Sequence, residues 1–522
     1  MGPRLRSSWA AKHRSAVAAF GLLAAYAAIG VTWLVTTPPF AAPDEAAHYL
    51  RAVGISQGQL IGSPAQAPGA AALPAPQRAL ANQVARSVNV PPQLSPAGYD
   101  CMIVLGAARQ APAPPLPSAA CQHTVRSNSS RRREVSQVGN YQPLPYLLPA
   151  LTLTMGGTAP EAVRAARIGN LLQCLALLGC ALFLCGGAAR SRFTMLGIGL
   201  AVTPMAAYLA ATVSSSGLEV MASIAFFAGL QRVGRDGGRL AWGLTAAVGS
   251  ALALSRTLGP VWVLLDVALW VAVIGPRPAW GRIREHPWRG GLAAAALVTS
   301  IVLNRAWEQA YGARTKVSPI PGLSDLPFGD APHLLREAIG IFGYLELPVP
   351  LLGSHAWTLA LLVLFALAVR LGSLRDSSVT WLTGAVCLLF PAYLSAAVLR
   401  YTAFTAQGRY FLPLFVLFPM ILAAVLQRSI THWQRRSVTR LVLVCAGVTG
   451  VVHFAAWEAA GHRYAVGTAG PRWFPSVAQW TPPGNWVFWA ATCVAGAALL
   501  VAVLALSDAH PADTAVGADG PA

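Results

Sequence analysis

Four ionisable side chains fall within eight residues just beyond the first apolar segment of a chain in which only 11% of residues are charged: Asp44, Glu45, His48 and Arg51. Asp44, His48 and Arg51 recur at i, i+4 and i+7, the spacing of one helical face. A carboxylate ionised at neutral pH can take the proton of an attacking hydroxyl as a general base. We therefore predict Asp44 as the catalytic base and Glu45 as the second choice, although the helix dipole also favours acids at a helix start.

The same stretch contains two candidates for substrate binding. His48 lies one turn beyond Asp44 and is predicted to orient the carboxylate or to contact a phosphate. A lone histidine, however, is more often structural. Arg51 is predicted to neutralise a substrate phosphate, with snorkelling towards lipid headgroups as the alternative.

Arginines elsewhere are candidates for binding a phosphate, because the guanidinium matches phosphate geometry. Arg164 and Arg167 begin the second predicted span at its outer end, where basic residues are less expected than on the cytoplasmic side. Arg409 lies between Gln407 and Tyr410 at the outer end of a later span, and all three are predicted to bind substrate. The alternative for Arg164 and Arg167 is interfacial snorkelling.

Glu346 is a further predicted substrate-binding residue. It lies beside aromatic residues in the segment Ile341–Pro348, a combination common in sugar sites. The alternative is an amphipathic surface helix. Three ionisable residues fall in or next to predicted spans, where they need partners or water. Of these, Arg256 and Asp266 flank a turn and are predicted to pair, and Glu219 is a candidate to line a cavity.

The composition identifies the kind of element that must position these residues. The chain has 522 residues, of which 55% are hydrophobic, whereas soluble domains carry roughly 25% charged residues. The sequence therefore predicts an all-α membrane protein, a polytopic bundle. The formal charge of +19 does not indicate nucleic-acid binding, because most basic residues fall in short links between apolar runs, as the positive-inside rule expects.

The apolar runs predict about twelve transmembrane helices with both termini in the cytoplasm. Tyr141–Gly157 is apolar but short, and only if it stays on the outer surface do the later basic links all become cytoplasmic. We therefore predict a juxtamembrane or re-entrant segment there. The predicted organisation is a cytoplasmic N-terminus and first span over 1–36, a long extracytoplasmic loop with juxtamembrane helices over 37–160, spans over 161–308, an outer loop over 309–350, spans over 351–506, and a disordered cytoplasmic tail over 507–522.

The eight cysteines show no metal-ligand spacing. Cys101 and Cys121 lie in the long polar loop and are predicted to form a disulfide if that loop is outside the cytoplasm. No cofactor is predicted. The Asp44–Glu45 pair has the oxygen ligands that a divalent cation prefers, but no further carboxylate cluster completes a coordination shell, so a metal is not favoured.

Several motifs together resemble an uncharacterised family of bacterial membrane proteins. That family is similar to the GT-C superfamily, which includes the protein O-mannosyltransferases and the aminoarabinose transferase of lipid A. The motifs are Pro43-Asp44-Glu45-Ala46-Ala47-His48-Tyr49-Leu50-Arg51, Gln142-Pro143-Leu144-Pro145-Tyr146, Arg167-Ile168-Gly169-Asn170, Phe342-Gly343-Tyr344-Leu345-Glu346 and Gln407-Gly408-Arg409-Tyr410.

The resemblance implies a glycosyltransferase in the bacterial plasma membrane, with its active site facing outside. It implies a polyprenyl-phosphate-linked sugar as donor, inverting transfer to a glycan or glycolipid acceptor of the cell envelope, and Asp44 as the residue that matches the superfamily's first-loop acid. Two features depart from the pattern: Glu346 stands where an aspartate is expected, and the first loop is unusually long.

Two alternatives stay open. One is a ligase or polymerase that acts on lipid-linked polysaccharide, and the other is a transporter or flippase of envelope lipids. A transporter is expected to carry ionisable groups near the bilayer midplane and broken helices in paired halves. Because the ionisable groups here collect at one end of the predicted spans, the sequence favours chemistry at that end.

Overall fold

The structure of the protein is a computed structural model that describes residues 3–103, 115–124, 133–186, 191–313, 326–397, 406–430 and 434–506. The predicted cytoplasmic tail, 507–522, lies outside these residues. The α-helices are α1 (Pro3–Thr36), α2 (Glu45–Ser56), α3 (Ala75–Val84), α4 (Leu147–Leu153), α5 (Ala159–Cys185), α6 (Arg192–Ala201), α7 (Pro204–Ala210), α8 (Ser215–Arg235), α9 (Arg239–Ala253), α10 (Gly259–Ile274), α11 (Pro276–Glu285), α12 (Pro287–Tyr311), α13 (Ala331–Ile339), α14 (Leu351–Leu371), α15 (Leu374–Ala397), α16 (Leu412–Phe415), α17 (Leu417–Ser429), α18 (Arg435–Val466) and α19 (Trp486–Leu506).

The predicted all-α membrane bundle is confirmed. Within the described residues, eight helices are long and apolar enough to cross a membrane, or ten if each of two bent helix pairs counts as one span. All twelve predicted segments fall on a helix or on consecutive helices. The predicted spans over 194–213 and 258–275 meet this measure only as parts of the two bent pairs. Two others do not meet it: they correspond to α8, which carries Glu219 in its interior, and to the short helix α9.

The predicted span over 194–213 corresponds to two helices, which are apolar and long enough to cross a membrane only when they are counted together. Helices α6 and α7 meet at an angle of 66°, because Pro204 begins α7 and cannot continue α6. The Thr203 hydroxyl caps α7 by accepting a hydrogen bond from the Ala206 backbone N–H at 3.2 Å. After the bend, the Tyr208 ring packs against Phe342, and the Val213 N–H in the link to α8 donates to Glu45 Oε1 at 3.1 Å.

The segment Tyr141–Gly157 forms a 3-10 turn, Leu144–Tyr146, and the seven-residue helix α4. A helix of seven residues is about 10 Å long and cannot cross a bilayer. It packs against α5, which begins with a capping box in which Thr158 and Glu161 satisfy each other's backbone N–H groups. The structure thus keeps this apolar segment at one end of the bundle.

The described part of the first long loop contains regular structure. It contains α3 and a three-stranded antiparallel sheet in the order β1 (Ser63–Pro64), β2 (Arg86–Asn89), β3 (Arg133–Ser136). Cys101 and Cys121 are joined by a disulfide. A two-stranded hairpin of β4 (Ile341–Phe342) and β5 (Leu347–Pro348) belongs to the second outer loop.

The links between helices that the structure describes lie at two opposite ends of the bundle. At one end, basic side chains bind the neighbouring links through the pairs Arg235–Cys185 O, Arg282–Gly234 O, Arg375–Ala272 O and Arg428–Asp376. Four segments meet around Asp44 at the other end: the loop after α1, the α9–α10 turn, the β4–β5 hairpin and the segment before α16.

Candidate active site

Asp44 stands outside the helix that its spacing predicted it to join. Helix α2 begins at Glu45, and Asp44 has a left-handed backbone (φ 57°) with no side-chain capping bond. A left-handed aspartate is uncommon, and such residues often occur at functional sites. Because its backbone is not helical, Asp44 does not share the helical face of His48 and Arg51. Its carboxylate instead turns towards chain segments 300 and 365 residues away.

The Asp44 carboxylate is held by two groups and is still open to solvent. Arg409 Nη2 lies 2.6 Å from Oδ2, the Tyr344 hydroxyl donates to Oδ1 at 3.3 Å, and the side chain is 38% exposed. Desolvation alone would raise the pKa of Asp44, but attraction to Arg409 and the hydrogen bonds hold that pKa below its ordinary value. Asp44 is therefore ionised at neutral pH and presents a weakly bound oxygen to the solvent.

Glu45 points away from this opening and into the bundle. Its carboxylate accepts from Arg167 Nε at 2.8 Å and from Arg167 Nη2 at 2.6 Å, and Oε1 also accepts from the Val213 N–H at 3.1 Å. The other N–H groups of Arg167 bind the carbonyl oxygens of Leu34, Thr37 and Pro38. All five N–H groups of the guanidinium are used, and both side chains are fully buried. The geometry disagrees with a base role for Glu45 and with a phosphate role for Arg167.

His48 lies beside Asp44 as a neutral ring. Its Nδ1 is 2.6 Å from the Tyr146 hydroxyl, and the two rings are stacked. Burial, aided by Arg256 and Arg409 and opposed by Asp44, lowers the pKa of His48 to about 3. His48 is therefore an uncharged group at neutral pH, and its hydrogen bond goes to Tyr146 rather than to the Asp44 carboxylate.

Arg51 is not brought to the opening. It is fully buried and donates to Tyr141 O at 2.9 Å and to Leu60 O at 2.6 Å. These bonds connect α2 to the first loop and to the segment before α4. Burial lowers the pKa of Arg51 to about 10, so it keeps its charge. Its contacts fit a structural role rather than the predicted phosphate contact.

Arg409 reaches Asp44 because its own segment is clamped on both sides. Its Nε donates to Gln407 Oε1 at 2.6 Å, and its guanidinium lies 5.3 Å from the centre of the Tyr410 ring. The backbone N–H of Gly408 donates to Glu337 Oε2 of α13 at 2.7 Å. Of the three residues predicted around position 408, Arg409 contacts Asp44, and Gln407 and Tyr410 contact Arg409.

Gly408 leaves no room for a side chain, which gives a first prediction. A Cβ there would overlap the Leu334 carbonyl and lie 2.5 Å from the Ala338 nitrogen, both backbone atoms of α13. We expect Gly408→Ala to cost about 1–3 kcal/mol of stability through overpacking and to displace Arg409. Thermal unfolding of the purified protein measures this. Gly447→Ala is the matched control, because nothing lies within 4 Å of its added Cβ, and an unchanged Gly408→Ala melting temperature would contradict the packing.

Arg256 is the cation that the sequence analysis did not assign to the site. It lies between two aromatic rings, 5.3 Å from the centre of Tyr141 and 5.6 Å from that of Tyr410. Its Nη1 donates to Ser216 Oγ at 3.1 Å and is 3.6 Å from Glu219 Oε2, and 19% of its side chain is exposed. The signal was present in the sequence: Arg256, like Arg164, is an arginine at the outer end of a predicted span.

The predicted pairing of Arg256 with Asp266 is wrong. Asp266 lies in the interior of α10, about two turns beyond its first residue, Gly259, and accepts from the Ser223 hydroxyl at 3.3 Å. The partner of Arg256 is Glu219, which the sequence analysis placed as a candidate to line a cavity.

Two further predicted substrate residues lie away from the opening. Arg164 has as electrostatic neighbours Arg167, Glu161 and Tyr99, and its Nε is buried with no hydrogen-bond partner among the described residues. Glu346 is buried, with its Oε1 3.5 Å from Arg463 Nη2. Neither side chain contacts Asp44 in the described part of the chain.

A cleft adjoins these groups. Its volume is about 570 Å³, including the space at its open mouth, and its lining residues are Tyr141, Glu219, Arg256, Thr257, Leu258, Leu394 and Tyr410. Asp44 does not belong to this lining, but Tyr410 does, and the Tyr410 ring lies beside Arg409, the ion-pair partner of Asp44. No group of three or more His, Cys, Asp or Glu residues that could hold a metal ion occurs in the part of the chain that the structure describes.

Comparison with known proteins identifies the family. Residues 28–418, well over half of the chain, match the model of a predicted membrane protein family, DUF2142. The chain belongs to this family. The expected resemblance to an uncharacterised family of membrane proteins is thereby confirmed, and the matched DUF2142 region includes Asp44, Arg256 and Arg409.

Beyond DUF2142, the comparisons are sparse. A search of curated proteins gives no significant match. Among solved structures, the chain is similar to the crystal structure of ArnT from Cupriavidus metallidurans in the apo state, with 15% identity, a TM-score of 0.36 and coverage of 70% of this chain. The match spans 66% of that chain, just under two thirds.

Proposed function

We propose that this protein is a membrane glycosyltransferase that transfers a sugar from a polyprenyl-phosphate donor to an acceptor of the cell envelope, with inversion. The observation that carries the proposal is the arrangement around Asp44: an ionised, partly exposed carboxylate paired with Arg409, and a nearby cleft lined by Arg256 and by Tyr410, which lies beside Arg409. A base, a cation for a phosphate leaving group and an opening beside them are the groups that this reaction needs.

Asp44 would act as the general base through Oδ1, because Oδ2 is occupied by Arg409 at 2.6 Å and Oδ1 has only the 3.3 Å bond from Tyr344. The acceptor oxygen attacks the anomeric carbon and its proton passes to Asp44. The bond between that carbon and the phosphate oxygen breaks, and its electron pair leaves with the lipid phosphate. A single displacement inverts the anomeric configuration. Arg409 orients the carboxylate rather than binding the donor.

Arg256 would stabilise the leaving phosphate. Its ion pair with Glu219 is long, and the stacking of Tyr141 and Tyr410 holds the guanidinium plane at the lining of the cleft. Charge develops on the phosphate as the bond breaks, so a fixed cation there favours the transition state. This assigns to Arg256 the role that the sequence analysis gave to Arg164 and Arg167.

A second prediction follows for Arg256. We expect Arg256→Gln to lower kcat/KM for the donor about a hundredfold, the effect of removing one preorganised donor. We expect Arg256→Lys to restore little, because an ammonium does not stack between two rings or bind phosphate through a planar fork. The measurement is transfer kinetics at varied donor concentration. The control is Arg305→Gln, because Arg305 is an exposed arginine of α12 towards the end of the bundle where Arg256 lies. Equal effects of both glutamine variants would contradict the assignment.

The lipid tail and the orientation follow from the same arrangement. Leu258 and Leu394 give the cleft an apolar side, which suits a prenyl chain entering from the bilayer. The basic links collect at the opposite end of the bundle, and the positive-inside rule therefore puts the cleft outside the cytoplasm. In this proposal, the protein lies in the bacterial plasma membrane and its acceptor is a glycan or glycolipid.

The test is transfer from a panel of radiolabelled polyprenyl-phosphate sugars in membranes that contain the protein, compared with membranes that lack it. We expect at least one single-sugar donor to label a lipid or glycan product. Transfer only from a lipid-linked oligosaccharide would replace the proposal with a ligase or polymerase. No transfer from either class of donor would contradict it.

A further inference from the structure

We propose that Glu346 and Arg463 are positioning residues: this buried pair fixes the β4–β5 turn so that the Tyr344 hydroxyl stays on the Asp44 carboxylate. The inference rests on the proposed function of Asp44 as the base. It gives Glu346 a different role from the substrate contact that its sequence surroundings predicted.

The turn between β4 and β5 has an unusual backbone. Gly343 and Leu345 both lie in the left-handed region, with φ of 63° and 65°, and Leu345 is a residue that rarely adopts it. Tyr344 stands between them and is the residue that contacts Asp44. Because left-handed leucine is strained, surrounding contacts must hold this conformation.

The base of the hairpin is anchored in the core. Phe342 is fully buried, and its ring centre lies 4.9 Å from that of Trp33 and 5.4 Å from that of Tyr208. The Val349 N–H donates to Gly340 O at 2.8 Å and closes the hairpin. This anchor places the two strands, but it does not determine the direction of the turn above them.

Glu346 supplies the contact inside the turn. Its carboxylate lies directly beneath Gly343, where an added Cβ would come within 2.7 Å of Oε2. The backbone N–H groups of Tyr344 and Glu346 face the same carboxylate. A carboxylate that faces these N–H groups from below fixes the backbone of Tyr344 and so the direction of its side chain.

Arg463 connects this carboxylate to the disulfide-bonded part of the first loop. Its Nη2 lies 3.5 Å from Glu346 Oε1 and donates to Met102 O at 2.6 Å. Met102 follows Cys101, the partner of Cys121. Within the described residues, Nε and Nη1 of Arg463 and Oε2 of Glu346 have no hydrogen-bond partner. A buried pair satisfied so incompletely adds little stability, so its contribution is the geometry that it imposes.

The charge on Glu346 supports this assignment. Burial raises the pKa of Glu346 to about 7, opposed by Arg463. The other titratable groups that face it are Tyr208 of α7 and Tyr464 of α18, and both stay neutral near pH 7. Protonation of Glu346 as the pH falls through about 7 therefore weakens its hold on the turn and on Arg463.

The test is a double-mutant cycle on transfer kinetics, using Glu346→Gln, Tyr344→Phe and the double variant. We expect each single change to lower kcat about tenfold with KM within about twofold, and the double variant to match Tyr344→Phe alone, because coupled residues are not additive. We also expect the decline of wild-type kcat below pH 7 to be absent in Glu346→Gln. Additive effects, or an unchanged pH profile, would overturn the proposal.

Hydrogen exchange gives a readout that does not depend on turnover. We expect Glu346→Gln to raise amide exchange in the peptide that covers 341–348, and Glu285→Gln, an exposed acid at the opposite end, to leave it unchanged. If no variant and no wild-type sample transfers sugar, the proposed function fails while this measurement still decides the positioning role. Unchanged exchange in Glu346→Gln, in a protein that stays folded and monodisperse, would overturn it.

Discussion

The Asp44→Asn variant should lose sugar transfer but still bind the sugar donor. The amide has the shape of the carboxylate but cannot take the proton from the attacking hydroxyl. We therefore expect kcat to fall about 10²- to 10⁴-fold, the range of general-base catalysis. Donor affinity should change little, because Arg256 contacts neither Asp44 oxygen and stays in the cleft lining. Single-turnover transfer and donor binding, measured on the same purified sample, separate the two effects.

The control for Asp44→Asn is the same substitution at Asp376. Asp376 also pairs with an arginine at 2.6 Å, Arg428, but at the opposite end of the bundle. Loss of transfer in Asp376→Asn as well would show that breaking any arginine–aspartate pair is enough to abolish transfer, and would contradict a specific role for Asp44. Because Arg409 keeps the pKa of Asp44 below its ordinary value, the carboxylate stays ionised at every pH above about 5, and any acid limb near pH 7 must come from another group.

The Glu45→Gln variant should fold poorly. It removes the carboxylate that pairs with the fully buried Arg167, for which the described residues offer no second ion-pair partner, and breaking a buried pair on one side costs about 3–5 kcal/mol. Thermal unfolding in detergent and the yield of monodisperse protein measure this loss. We expect activity per folded molecule to change much less than in Asp44→Asn, because Glu45 does not face the cleft.

The paired variant Glu45→Leu with Arg167→Met tests the same point from the other side. Removing both charges avoids an uncompensated guanidinium, so it should cost less than the sum of the single changes. Recovery should be partial, because the carbonyl oxygens of Leu34, Thr37 and Pro38 lose their donor. A Glu45→Gln protein with wild-type stability and no transfer would instead make Glu45 the base.

Hydropathy and charge pattern were sufficient to locate the predicted membrane helices and to divide their ends between the two ends of the bundle. The twelve predicted segments match helices because a lipid-spanning backbone must satisfy its own hydrogen bonds over a long apolar run. The short segment before α5 was recognised as non-spanning because charge alternation required it. The bend at Pro204 was missed, although proline is a local signal, because the apolar run continues across it.

The sequence could indicate which residues lie at the site end, but not which of them face one another. Arg167 and Arg256 are both arginines at the outer end of a predicted span. Arg167 nevertheless uses all five of its N–H groups in hydrogen bonds inside the bundle, whereas Arg256 lines the cleft. The pairing of Asp44 with Arg409 joins positions 365 residues apart, and no local period encodes it. The left-handed backbone of Asp44 likewise depends on these tertiary contacts, and it removes Asp44 from the helical face that the i, i+4, i+7 spacing predicted.

The most direct test uses purified protein in liposomes with one labelled polyprenyl-phosphate sugar and an acceptor outside. We expect the label to appear on the acceptor with the opposite anomeric configuration, and to be absent from the product when the protein is Asp44→Asn. Movement of the intact lipid-linked sugar across the bilayer without transfer would make the protein a transporter. Transfer that is undiminished in Asp44→Asn would contradict the active site described above.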